Sequence, residues 1–159
     1  MKENKLLKSC VIIGLGNIGA GYDYAHKKGN KIFTHAKAIY FHKNFRLVGG
    51  IDISKRKRYQ FKKIYSVPIF KNMKEASIKL SPDIVIISTP TNFHYENFQL
   101  VLKNFKPETI ILEKPLTNSY HKAKLIVKEC EKKKINLFVN YFRISDPGIL
   151  KIKKLLSIQ

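Results

Sequence analysis

The chain has 159 residues, 44% of them hydrophobic and 26% charged, which suits one globular domain with its own core and excludes disorder by composition. Its formal net charge of +20 comes from 31 basic against 11 acidic residues. The basic residues are spread evenly along the chain and 27 of the 31 are lysine, the signature of a solvated surface left by codon bias. Proteins that read bases depend on arginine and clustered aromatics, so nucleic acid is not an expected partner. Cys10 and Cys130 stand far apart without a CxxC, which excludes a disulfide-rich fold and a one-loop cysteine metal site and suits a reducing cytoplasm. No apolar run reaches the roughly 18–20 residues of a membrane span, and no signal-peptide pattern opens the chain, so no membrane association is expected.

In chain order, the first apolar run is Cys10–Leu15 (CVIIGL). Residues 20–33 follow as an irregular, glycine-containing inserted loop, and Thr34–His42 reads as a helix opened by a threonine cap. Arg46–Asp52 is the second strand, and Ser54–Ile64, with Ser54 as cap, the second helix. Val67–Phe70 is a short third strand, and Asn72–Leu80 a helix whose Asn72 and Glu75 spell a capping box. Ile84–Ser88 is the fourth strand, Asn92–Asn104 a helix capped by Asn92, and Thr109–Leu112 the fifth strand. The helix Ser119–Lys134 places Tyr120, Ala123, Val127 and Cys130 on one face; Ile135–Tyr141 is the sixth strand, and 149–156 an amphipathic helix. Short, continuously apolar, β-branched runs are buried on both faces, and strands alternating with helices need crossover connections. The expected fold is therefore α/β, a doubly wound parallel sheet in the order 3-2-1-4-5-6 with a glycine loop at its switch point.

That loop is Gly14-Leu15-Gly16-Asn17-Ile18-Gly19, a GxGxxG closing the first strand of a βαβ unit. Glycines there permit a tight turn, close approach of the backbone to a pyrophosphate, and close helix packing. The second strand ends in Asp52, an acid suited to ribose hydroxyls, and its distance of 33 positions from Gly19 exceeds the usual ~20 by about the length of the 20–33 loop. A carboxylate there favours NAD over NADP, while Lys55, Arg56 and Arg58 next to it soften the preference, so NADP stays open. A plain turn carboxylate is the other reading of Asp52. Ser88–His94 (STPTNFH) follows the fourth strand and faces the same crevice; His94 reads either as a site residue or as a first-turn helix residue. Glu113-Lys114-Pro115 follows the fifth strand, and a lysine there can reach a substrate hydroxyl; a surface lysine is the other reading.

GLGNIG at 14–19, Asp52, STPTNFH at 88–94, EKPL at 113–116 and NYFR at 140–143 together resemble the Gfo/Idh/MocA family, the glucose-fructose oxidoreductase and inositol dehydrogenase group. The resemblance implies an N-terminal Rossmann domain followed by an α/β domain with an open sheet. It implies that Gly14, Gly16 and Gly19 form the pyrophosphate loop, with Asn17 and Ile18 offering N–H groups, and that Asp52 holds the ribose. Thr89, Pro90, Asn92 and His94 correspond to residues along the nicotinamide half. Glu113 corresponds to a dinucleotide contact, Lys114 to the catalytic lysine, and Arg143 to a substrate contact at the domain junction. The implied activity is hydride transfer between nicotinamide and a sugar or polyol-like hydroxyl compound. Family members run to about twice this length, so the expected organisation is a dinucleotide-binding domain over 1–145 and, over 146–159, the start of a helix toward a second domain not contained in these residues. A second-domain polypeptide or self-association is the implied partner. The alternatives are a truncated or split chain that binds NAD without catalysis, and a basic nucleic-acid-binding module.

Overall fold

The computed structural model describes residues 7–25 and 31–157. Six strands, β1 (Lys8–Ile13), β2 (Phe45–Ile51), β3 (Ile69–Phe70), β4 (Ile84–Ile87), β5 (Thr109–Glu113) and β6 (Asn136–Asn140), form one sheet in the order β3-β2-β1-β4-β5-β6. Every neighbouring pair is parallel. The apolar runs do what their composition demands. Cys10, Ile12, Ile84 and Ile86 pack into the core on one face of the sheet, and Val11, Ile13, Val85 and Ile87 into the core on the other. The first face is covered by α1 (His35–Phe41) and α2 (Lys55–Tyr65) through Ala36, Ile39, Phe61 and Tyr65. The second is covered by α3 (Met73–Ser77), α4 (His94–Asn104) and α5 (Tyr120–Lys133), chiefly through Met73, Phe98, Val101 and Ile126. Burying each such valine, leucine, isoleucine or phenylalanine is worth about 1.5–3 kcal/mol.

Local chemistry sets the element ends. The side chains of Thr34, Ser54 and Ser119 accept from the backbone N–H groups of Lys37, Lys57 and Lys122, as cap residues should. Asn72 accepts from Glu75 N, while Glu75 reaches back one residue further than the usual box, to Lys71 N at 3.1 Å. The predicted helix over 72–80 is shorter, because Lys79 N and Leu80 N both bond to Ala76 O and tighten its end. Asn92 is not a cap: a 3-10 turn over Thr91–Phe93 precedes α4, and Phe93 takes the cap position without a side-chain bond. The first strand ends at Ile13, two residues early, where Gly14 turns the chain out of the sheet. In α5 the buried face is Ile126 and Cys130; Tyr120 and Val127, predicted to share it, are exposed.

The inserted loop begins with a 3-10 turn, Gly21–Asp23, and residues 26–30 of it lie outside the described residues. Its base is closed by buried Asp23, whose Oδ2 accepts from Phe33 N at 3.0 Å and Thr34 Oγ1 at 2.7 Å. Lys37 Nζ lies 3.6 Å from the other Asp23 oxygen and donates to Lys31 O. Helix α1 then resumes from the glycine turn: His35 N bonds to Ile18 O and Ala36 N to Gly19 O. At the C-terminal side, α6 (Pro147–Leu156) starts two residues before its predicted position because Asp146 caps it and Pro147 opens it. No residue of α6 is buried. Among the described residues no helix is long and apolar enough to cross a membrane.

Candidate functional site

A cavity of about 880 Å³ opens at the carboxyl ends of the strands, where connections from β1 and β4 leave in opposite directions. The three glycines at its centre have three different reasons. Gly14 has φ +90°, and a Cβ there would lie 2.7 Å from Ser88 C and Thr89 N. A Cβ on Gly19 would overlap Gly14 O and sit 2.8 Å from Ser88 Oγ, so this position serves close packing. Gly16 is different: its Cβ would meet only Lys57 Nζ, at 3.8 Å, so its backbone lies open to the cavity. Asn17 and Ile18 line the cavity beside it, while Gly19 lies behind the turn.

On the β2 side, Asp52 is held by its own chain. Its Oδ2 accepts from Leu15 N at 2.8 Å and its Oδ1 from Ser54 N at 2.7 Å, so the acid also ties the glycine turn to the start of α2. The turn-carboxylate reading and the ribose reading are compatible, since each oxygen keeps a second lone pair. Of the basic cluster that follows, Arg58 bonds back to Asp52 O and Ile53 O, and Lys55 lies over the Tyr59 ring. Of this cluster it is Lys57 that lines the cavity, 4.0 Å from Asp52 Oδ2.

On the β4 side, Thr89 and Pro90 line the cavity, and Asn97 donates to Thr89 Oγ1 at 3.1 Å. His94 borders the same space but is buried, and the structure gives it another task. Its Nδ1 lies 3.0 Å from Pro115 O and its Nε2 2.8 Å from Thr89 O, so the protonated ring nitrogen donates to the loop after β5 or to the loop after β4. Asn92 is exposed and does not line the cavity. Arg143, on the 3-10 turn Phe142–Ser145, is likewise outside it, its guanidinium 5.9 Å from the Phe142 ring.

Glu113 and Lys114 meet the cavity at the end of β5. Glu113 Oε1 accepts from Asn140 Nδ2 at 2.5 Å and lies 2.7 Å from His35 Nε2. Burial pushes this carboxyl up, but the hydrogen bonds from His35 and Asn140, with one from the Lys114 backbone, outweigh it and hold it below the usual glutamate range. Lys114 is exposed, and its amine makes no hydrogen bond or ion pair among the described residues. Burial pushes the Cys10 and Cys130 thiols up to about 12 and about 11, so neither is a nucleophile at neutral pH.

Sequence reasoning missed His35, Lys57, Asn97 and Tyr22, which enters the cavity from the inserted loop. Lys57 was within reach of it: with Ser54 as cap, helical phase decides which basic residue turns inward.

Residues 8–141 match the family model GFO_IDH_MocA, described as an oxidoreductase family with an NAD-binding Rossmann fold. No curated protein sequence matches the chain. Among solved structures it is similar to myo-inositol 2-dehydrogenase from Lactobacillus plantarum, at 21% identity and TM-score 0.74 over 95% of this chain and 41% of that one. It is also similar to scyllo-inositol dehydrogenase from Lactobacillus casei, solved with NAD(H) and scyllo-inositol, at 17% identity, TM-score 0.77, and 95% and 41% coverage. A third is the WlbA dehydrogenase from Bordetella pertussis, in complex with NADH and UDP-GlcNAcA, at 18% identity, TM-score 0.79, and 96% and 40% coverage. The chain thus spans about 41% of the length of the first of these relatives.

Proposed function

Because this chain belongs to the Gfo/Idh/MocA oxidoreductase family, as its NAD-binding Rossmann domain, we propose that it is the dinucleotide-binding half of an enzyme acting on a sugar, polyol or related hydroxyl compound. The observation that carries the reading is Gly16, whose missing Cβ leaves the backbone open to the cavity between Asp52 on one side and Lys114 on the other. A pyrophosphate fits against that turn, and Asp52 then meets the adenosine ribose. The other half of a dinucleotide extends over the ends of β4 and β5, beside Thr89, Pro90, Glu113 and Lys114. When bound, the nicotinamide supplies the hydride acceptor or donor. Lys114 takes the proton of the substrate hydroxyl as the carbon is oxidised, or returns it in the reverse direction. Similar structures, one with scyllo-inositol and one with UDP-GlcNAcA, support this substrate class.

Residues 1–145 form the proposed dinucleotide-binding domain, and 146–159 the start of a connection to the substrate domain. Exposed Ile149, Leu150, Ile152 and Leu155 on α6 form the face that the polypeptide carrying that domain would cover. The test is to mix the 159-residue chain with NAD and a panel of inositols, sugars and nucleotide sugars, measuring NADH formation and solution mass. The reading expects dinucleotide binding with little or no turnover, because catalytic groups acting as a set fail together. Robust turnover by a monomer would show that the site is complete within these residues.

A further inference from the structure

Glu113 is joined by side chains from two distant parts of the chain. His35 comes from the first turn of α1, 78 positions away, and Asn140 from the end of β6, 27 positions away. Strand register brings Asn140 opposite Glu113. His35 is brought there by the bond from its own N–H to Ile18 O, which seats α1 on the glycine turn despite the insertion. The His35 and Glu113 side chains are 14% and 11% exposed, so the pair is largely withdrawn from water while Glu113 still borders the cavity. Polar groups in such a place cost desolvation that an apolar pair of similar volume avoids. Two donors converge on Oε1, at the last residue of β5, and Lys114 is the next residue in the chain. A line of hydrogen bonds therefore runs from the glycine turn through His35 to Glu113, whose own peptide bond joins it to Lys114.

We propose that His35 and Asn140 are positioning residues for Lys114, clamping Glu113 at the end of β5 and so holding the adjoining Lys114 backbone at the cavity wall. The inference rests on reading Lys114 as the group that meets substrate. Around the cavity, Lys114 and His94 stand on the side of Glu113, and Asp52, Lys57 and Lys71 stand on the β2–β3 side. The variants below leave all five in place.

The experiment follows the Lys114 backbone amide by NMR, in chemical shift across an acid titration of the 159-residue chain and in hydrogen exchange, because the amide next to Glu113 reports that carboxylate's ionisation and its exchange rate reports how firmly the backbone is held. Wild type, His35→Phe, His35→Gln and Asn140→Ala are compared, with melting temperature recorded for each. In wild type the amide titrates below the ordinary glutamate range. In His35→Phe the midpoint rises by about one pH unit or more, because buried Glu113 has lost a donor. His35→Gln, which keeps an N–H, restores most of the shift. Asn140→Ala, on the edge strand, moves the midpoint in the same direction and serves if His35→Phe does not fold. Unchanged hydrogen exchange at the Lys114 amide in folded His35→Phe and Asn140→Ala would show that the pair does not hold the Lys114 backbone, and that result overturns the proposal. Calorimetry of the wild type with NAD runs alongside: if NAD fails to bind while the midpoint shifts as described, the functional reading fails and the clamp stands.

Discussion

Gly16→Ala separates binding from folding. Among the described residues the one atom within reach of the new methyl is Lys57 Nζ, at 3.8 Å and at the end of a flexible side chain. The backbone at Gly16 is not in the left-handed region, so alanine adopts it without strain. Stability should change by less than about 0.5 kcal/mol, or rise slightly through loss of unfolded-chain entropy. The methyl, however, stands where the pyrophosphate must approach. Losing even one hydrogen bond to a charged phosphate costs about 1.5–3 kcal/mol, which weakens NAD binding roughly 10- to 100-fold. Gly19→Ala is the counterpart: its Cβ overlaps Gly14 O, so it lowers the melting temperature before affinity is considered. Calorimetric titration with NAD and thermal melts of both variants read the two effects apart. A Gly16→Ala chain that binds NAD as tightly as wild type would refute the assignment of this turn to the pyrophosphate.

Asp52→Ala should narrow the preference for NAD over NADP by removing a charge that repels the 2′-phosphate. It should also lower the melting temperature, since Leu15 N and Ser54 N lose their acceptor; paired titrations with both dinucleotides check the first effect and melts the second. Lys57→Ala should act the other way and weaken NADP more than NAD, which the same titrations read. Asp83 is held below the ordinary aspartate range by the side chain and then the backbone N–H of Ser9, both 2.7 Å from its Oδ2. The unfolded chain binds that proton more tightly, so the stabilisation is present above about pH 4 and is lost as pH falls through the folded value. Urea midpoints of Asp83→Asn should accordingly fall less steeply on acidification than those of wild type. Lys114→Met should leave NAD affinity within a few-fold of wild type while abolishing any hydroxyl oxidation by the assembled enzyme, as binding and rate measurements would show.

The sheet was legible because Cys10–Ile13 in β1 and Ile84–Ile87 in β4 carry a redundant signal, apolar at every position and mostly β-branched, and helix-length segments separate the strands. Strand order followed from that burial, with the central pair β1 and β4 bearing the longest such runs. Ends were less legible, because they depend on single bonds such as the paired contacts to Ala76 O that shorten α3. The glycines and Asp52 were readable from spacing once the insertion was subtracted. His35 was not, since the insertion separates it from the glycine motif and only the folded sheet brings it to Glu113. His94 carried the opposite difficulty: its sequence neighbours place it at the crevice, but its ring turns inward onto Thr89 O and Pro115 O.

The central claim is that this chain, by itself, holds a dinucleotide on the Gly14–Gly19 turn. The most direct measurement is isothermal titration of the purified wild-type chain with NAD, repeated with Gly16→Ala. The account predicts saturable binding of one NAD per chain, weakened in the variant without loss of thermal stability. Absence of saturable binding to a natively folded wild-type chain would contradict it.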